Sequence, residues 1–183
     1  NRNSVWAEQA IGLNIYNARC ASILQQGLYA ADILYIKDEG ISSGIADYDF
    51  TEPATPYGYR WDIGSKNILE RITVEDGRLT LPHGMNYRIL VLTPMKQCSP
   101  ELLKQVKRLL QQGATIVLSG EKPEGYMGMD ANKDMEVKAL ADELWSKASS
   151  ALYDGTVYYT KDLQKVLNAE PVSYTHLRAH ETK

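Results

Sequence analysis

Cys98 is the most intrinsically reactive side chain in the sequence. It follows an apolar run and precedes Ser99-Pro100-Glu101, the start of a helix, a setting that can lower a thiol's pKa. A thiolate there would suit a cysteine hydrolase. However, the turn TPMKQCSPE (93–101) lacks the tight small-residue elbow that holds a nucleophile in a strained strand-to-helix turn. The one histidine that could serve as its base, His83, precedes the same strand and is expected toward the opposite end. A partly buried cysteine packed ahead of the helix cap is the competing reading, and Cys20 reads as a core residue. Ser119-Gly120 with Gly125 and Gly128 suggests a phosphate loop, yet neither G-x-G-x-x-G nor the Lys-Ser/Thr of a P-loop is present. Asp38, Glu39, Asp47, Asp49 and Glu52 lie near Tyr48, Tyr57, Tyr59 and Trp61. Acids beside aromatics are what a sugar site needs, and also what an ordinary solvated loop or interdomain contact contains.

These residues need a scaffold, and the sequence reads as one. Residues 7–26 predict an amphipathic helix from Leu13, Ile15, Ala18, Ala21 and Leu24 and their neighbours, with Gly27 in the left-handed stop position. Ala31 to Ile36 is a buried strand, and 37–57 a long polar loop. Ser65 caps a short helix to about Arg71, and 71–84 forms a hairpin about Asp76-Gly77. Tyr87 to Leu92 is a second strand, and Ser99 with Pro100 begins a helix that Gly113 ends. Ala114 to Leu118 follows, then a Gly-rich loop and a helix from Asp134 to about Lys147. Thr156 to Tyr159 and a helical turn from Asp162 to Leu167 close the pattern. Alternating strands and helices with short connections imply a parallel sheet covered on both faces, a three-layer, flavodoxin-like α/β domain. Ligands of such sheets bind beyond the carboxyl ends of the strands, here 37–39, 93–98 and 119–129.

The 183 residues, 44% hydrophobic and 23% charged, fit one ordinary globular domain. No apolar stretch approaches the ~20 residues that cross a bilayer. Two cysteines exclude a disulfide scaffold and a Cys-rich zinc site. The opening NRNSVW has no initiator Met and no signal-peptide core, so the chain is expected to come from inside a longer protein. VSYTHLRAHET (172–182) matches a reading frame of a transposase sequencing adapter, so residues 172–183 are expected to be a disordered, adapter-derived tail. His176 and His180, four apart, then form no metal pair. Without Arg178, Glu181 and Lys183 the formal charge moves from −3 to about −4. That mild, dispersed acidity carries no footprint for nucleic acid or an anionic membrane.

Five stretches point further: 2–36, GYRWDIGSKNIL (58–69), EDGRLTLPHGMNYRILVLTP (75–94), SPELLKQVKRLLQQGATIV (99–117) and MEVKALADELW (135–145). In order, they resemble bacterial glycoside hydrolase family 106, large α-L-rhamnosidases and relatives. The resemblance implies that 1–26 is the end of a (β/α)8 catalytic barrel and its connecting helix. It implies that 27–171 is a class I glutamine amidotransferase-like α/β domain, mainly structural or accessory. It further implies inverting hydrolysis of a rhamnose-containing glycan from a plant or bacterial polysaccharide, two carboxylic acids, and calcium in the full-length parent. A periplasmic or extracellular parent and intramolecular contact with the barrel also follow from it.

Asn1-Arg2-Asn3 with Trp6-Ala7-Glu8-Gln9 resembles the family's stretch at the end of the barrel, where a carboxylate just past the last strand is well placed. The resemblance therefore nominates Glu8 as base or sugar-contacting acid, with Asn3 and Trp6 near the substrate. Val5 and Ala7 replace the Thr and aromatic residue that the resemblance leads one to expect beside Trp6, a departure that implies altered specificity or a divergent clade. A first-turn glutamate favoured by the helix dipole is the alternative for Glu8. For the domain, the alternatives are an interaction or oligomerisation module, or an amidotransferase-like hydrolase acting through Cys98. The adapter match sets the first test. Deleting 172–183 is expected to leave the thermal midpoint unchanged within error, and a fall of several degrees would make the tail part of the fold.

Overall fold

Ile33–Ile36, Ile89–Leu92 and Thr115–Leu118 are runs of four residues in which every side chain is buried. A strand hidden on both faces requires an apolar layer above and another below, and this requirement organises the domain. The computed structural model describes residues 6, 10–37, 39, 52–146 and 153–169. It divides into two compact units, 1–30 and 31–183.

In the first unit, α1 (Ala10–Leu24) begins with Ala10 N–H donating to the Trp6 carbonyl at 3.0 Å. None of its residues is buried; Ile11, Leu13, Ile15, Tyr16, Ile23 and Leu24 are exposed and Cys20 is half-buried. Gly27 does not adopt the expected left-handed conformation, because the helix has already ended at Leu24 and passes into a turn.

The second unit carries a five-stranded parallel sheet. In chain order its strands are β1 (Ile33–Ile36), β2 (Trp61–Gly64), β6 (Ile89–Leu92), β8 (Thr115–Leu118) and β10 (Thr156–Tyr158), arranged β2-β1-β6-β8-β10. Ile33 pairs with Trp61 on one side and Ile89 on the other, Leu90 with Ile116, and Thr156 with Thr115. Because successive side chains alternate, Leu34, Ile36, Leu90, Leu92, Ile116 and Leu118 face one core. Ile33, Tyr35, Ile89, Val91 and Val117 face the other.

Three helices, α2 (Lys66–Leu69), α3 (Pro100–Gln111) and α4 (Ala131–Leu144), feed the first core, and α5 (Leu163–Ala169) feeds the second. α3 turns Leu102, Leu103, Val106, Leu109 and Leu110 inward. Its start is as read from the sequence: Pro100 occupies the first turn, and Ser99 Oγ accepts from Leu102 N–H at 3.3 Å. Gly113, at φ +95°, follows its end. The start of α4 lies earlier than expected, because Asp130, not the following loop, caps it through Asn132 and Lys133 N–H.

A small antiparallel sheet joins β3 (Thr73–Glu75), β4 (Arg78–Thr80) and β5 (Asn86–Tyr87). Asp76 and Gly77 both have positive φ, the primed turn expected of Asp-Gly. The predicted strand from Tyr87 to Leu92 is two strands. The backbone changes sheets at Arg88, whose N–H donates to the Asp32 carbonyl at 2.8 Å and whose guanidinium donates to the Leu167 carbonyl at 2.8 Å. The remaining pair, β7 (Gln97–Cys98) and β9 (Gly125–Tyr126), is parallel and joins the two loops beyond β6 and β8.

Gly155 lies where β10 passes the turn from α3 to β8. A Cβ there would come within 2.3 Å of the Ala114 carbonyl oxygen and 2.7 Å of that of Leu110, both backbone atoms. Gly155→Ala is therefore expected to lower stability by about 1–3 kcal/mol through overpacking. Urea denaturation measures it, and an unchanged midpoint would contradict the close approach.

Candidate functional site

The carboxyl ends of the central strands are held together by their own polar groups. Thr93 Oγ1 donates to the Ile36 carbonyl at 2.9 Å, and Ser119 Oγ to the Leu92 carbonyl at 2.8 Å. Beyond β1, Glu39 reaches across to the N-terminus of α3. It accepts from Ser99 N–H at 2.6 Å and from Ser99 Oγ–H at 2.9 Å, and pairs with Lys66 Nζ at 2.9 Å. The positive end of a helix is where a sheet of this kind receives an anion; here the chain's own carboxylate fills it.

Burial alone would raise the Glu39 pKa and is the largest single influence. The Ser99 N–H bond, the bonds from Lys66 and the Ser99 hydroxyl, and the charge of Lys66 together outweigh it. The carboxyl is held below its ordinary range.

The remaining sequence candidates are dispersed among separate tasks. Cys98 is wholly buried, more than the sequence suggested, and lies in β7 beside the Glu39-filled helix terminus. A sealed thiol next to that carboxylate is poorly placed to attack a substrate. His83 stands on an exposed turn ahead of β6, on the other side of that strand from Cys98 in the chain. Gly125 and Gly128 make room for protein rather than phosphate. A Cβ on Gly125 would meet Asp134 Oδ1, which accepts from Tyr126 N–H at 3.0 Å, and one on Gly128 would meet the Tyr126 ring.

The acid and aromatic cluster is likewise divided. Trp61 packs edge-on against Tyr35 with ring centroids 6.3 Å apart, and Arg88 sits 5.9 Å above Tyr59, so both rings belong to the second core. Tyr57 is fully exposed. Glu52 pairs with Lys161 at 3.2 Å. Trp6 is exposed, and its carbonyl begins α1. Asn3, Glu8, Asp38, Asp47, Tyr48, Asp49, His176 and His180 lie outside the described residues.

An open cleft of about 700 Å³ lies beyond β6 and β8, bordered by Met95, Lys96, Ser119, Glu121, Glu124 and Lys161, so most of its lining falls in the 93–98 and 119–129 stretches expected to meet a ligand. Glu52 and Lys161, which complete the lining from distant segments, are the part that no spacing announces.

Comparison with known proteins now places the chain. The family model for glycoside hydrolase family 106, described as alpha-L-rhamnosidase, matches residues 1–181, and the chain belongs to that family. It is 32% identical over 147 residues to a Formosa agariphila protein named "Putative beta-glucuronidase", covering 80% of this chain and 12% of that protein. Its fold is similar to that of a rhamnosidase from Novosphingobium sp. PP1Y. The TM-score is 0.69 at 25% identity, over 92% of this chain and 16% of that one. The chain thus spans less than a fifth of either relative.

The Glu39 contacts carry a pH test. A carboxyl with a depressed folded pKa contributes stability above its unfolded pKa and loses it as pH falls through the folded value. Glu39→Gln is expected to cost about 1–3 kcal/mol near neutrality, with the difference from wild type shrinking as pH falls below the ordinary carboxylate range. Stability measured from pH 7 to 3 checks it, and a difference independent of pH would remove the charge from the explanation.

Proposed function

We propose that this chain is part of an inverting α-L-rhamnosidase acting on a plant or bacterial polysaccharide. Its α/β domain is a non-catalytic accessory to a catalytic barrel. The observation that carries the reading is the Glu39 carboxylate on the α3 N-terminus. The one place where this sheet could best stabilise a ligand's negative charge serves the fold instead. Full burial of Cys98 supports the same reading over an independent amidotransferase-like hydrolase. The strand order β2-β1-β6-β8-β10, which is 2-1-3-4-5 counting only the strands of the main sheet, supports a flavodoxin-like, amidotransferase-related descent for the domain.

Inversion needs one carboxylic acid to protonate the leaving oxygen and a second carboxylate to activate water from the opposite face. Glu8 is our candidate for the second role, on the strength of the Trp6-Ala7-Glu8-Gln9 resemblance, with Asn3 and Trp6 beside the sugar; its acid partner would be supplied by the rest of the parent. Among the described residues no group of three or more His, Cys, Asp or Glu side chains could hold a metal ion. The described residues therefore do not fit calcium, whose ligands we assign to other parts of the parent.

The isolated chain is expected to show no turnover of aryl rhamnosides; hydrolysis abolished by Cys98→Ser would overturn this and favour the cysteine hydrolase. In the parent enzyme, Glu8→Gln keeps the reach of the side chain and removes the basic oxygen. Its loss is expected to lower kcat by ~10²–10⁴-fold with little change in KM, and azide, which needs no base, to restore turnover. A kcat within a few-fold of wild type at equal folded fraction would leave Glu8 as a helix-terminus carboxylate.

A further inference from the structure

The cleft beyond β6 and β8 lies at the edge of the sheet where ligands of open α/β folds gather, yet the hydrolytic reading leaves it unused. Its size, about 700 Å³, is that of a small-molecule site. Gly120 presses against Pro94 closely enough that a Cβ would lie 2.6 Å from the Pro94 Cα, so these two loops meet as a fixed wall. Met95, buried, and Pro94, half-buried, give the cleft apolar surface.

The polar groups divide by what they already hold. Lys161 and Glu52 neutralise each other at 3.2 Å, and Lys122 is taken by Asp142. Ser119 Oγ–H is given to the Leu92 carbonyl. Among the described residues, Lys96, Glu121 and Glu124 pair with no other side chain, and all three are exposed at the cleft. The uncommitted set is thus two carboxylates and one ammonium, a net negative charge.

That balance selects the ligand. A phosphate or uronate would face two like charges with one free amine to offset them. A sugar ring without charge suits each feature. Its hydroxyls donate to carboxylates, which only accept, and accept from an ammonium, which only donates. Its C–H face matches the apolar surface of Met95 and Pro94. We propose that this cleft is a non-catalytic binding subsite for a neutral oligosaccharide. The charge and shape argument stands on the cleft itself; the choice of a saccharide rests on the glycan-hydrolase reading above.

Calorimetric or NMR titration of the whole chain with a neutral rhamnose-containing trisaccharide, and separately with a trigalacturonate, tests it. The neutral probe is expected to bind saturably and the trigalacturonate about ten-fold more weakly or worse. Replacing Glu121 and Glu124 together by Ala is expected to weaken the neutral probe by about ten-fold or more, whereas Lys165→Ala, at an exposed position of α5, leaves it unchanged. Glu121→Gln with Glu124→Gln, at matched thermal midpoint, guards against a folding defect and should weaken binding in the same direction. No saturable binding, binding indifferent to the paired changes, or preference for the trigalacturonate would overturn the proposal. Turnover of an aryl rhamnoside by the parent, assayed separately, keeps the two readings apart. Turnover without trisaccharide binding defeats the cleft alone, and binding without rhamnoside turnover defeats the rhamnosidase assignment alone.

Discussion

Burial of three consecutive parallel strands on both faces is the constraint from which the rest follows. β1, β6 and β8 offer no side chain that water can hydrate, so each residue must be matched from above or below. Burying a Leu, Ile or Val side chain contributes roughly 1.5–3 kcal/mol, which is why the alternation of these strands is so strictly partitioned. The first face receives α2, α3, α4 and Leu79, Leu81 and Tyr87 of the hairpin region. The second receives Leu163, Val166 and Leu167 of α5, completed by the half-buried Tyr59, Trp61, Ile63 and Tyr158. Arg88 links the two demands. It ends the hairpin strand, begins the core strand, and holds the carboxyl-terminal part of α5 through the Leu167 carbonyl.

With the strands fixed, their carboxyl ends converge on the α3 N-terminus, and the identity of the group placed there decides what the domain can do. Charge-assisted hydrogen bonds are roughly twice as strong as neutral ones, and Glu39 makes two to Ser99 alone. A tethered carboxylate also acts at an effective concentration of order millimolar or above. An outside anion would have to displace it while leaving Glu39 and Lys66 in need of new partners. Fold likeness by itself transfers the scaffold and not the chemistry. The same geometry accounts for Cys98, which lies beside a helix end whose positive potential is already balanced.

The features legible in the sequence were those decided locally. Apolar runs marked β1, β6 and β8, Asp76-Gly77 marked the hairpin, and Ser99-Pro100 marked the start of α3, because each depends on neighbouring residues only. β2 escaped notice since Trp-Asp-Ile-Gly neither alternates nor forms an apolar run; its identity as a strand comes from pairing with β1. The break at Arg88 was equally hidden, because an Arg within YRILVL reads as an ordinary strand residue until Leu167 is seen to receive it. Site chemistry was least legible. Glu39 meets Ser99 across 60 positions, and Lys161 meets Glu52 across 109. No spacing rule shows that one acid of a cluster goes to a helix end while another, Glu52, pairs at a cleft. The family resemblance was carried by long motifs, and it survives because those motifs record the packing that places each strand.

On the proposed rhamnosidase reading, a filled helix terminus and an open cleft whose unpaired side chains are two carboxylates and one ammonium suit an enzyme with a polymeric substrate. A polysaccharide extends well beyond the bond that is cut, and contacts with its remote parts can be used to position the reacting sugar. Such contacts need not be tight. A subsite with millimolar affinity becomes useful when the rest of the chain is held elsewhere on the same protein, because the second contact is then intramolecular. Modest affinity is also an advantage, since a processed chain must leave. Exposed carboxylates and one ammonium around an apolar patch give that kind of grip: hydrogen bonds that trade readily with water, set on a wall that Gly120 and Pro94 keep rigid. The internal carboxylate at α3 and the uncommitted ones at the cleft thus follow one rule. At α3 the fold supplies the negative charge and satisfies it, and at the cleft Glu121 and Glu124 are left to meet the hydroxyls of the proposed ligand.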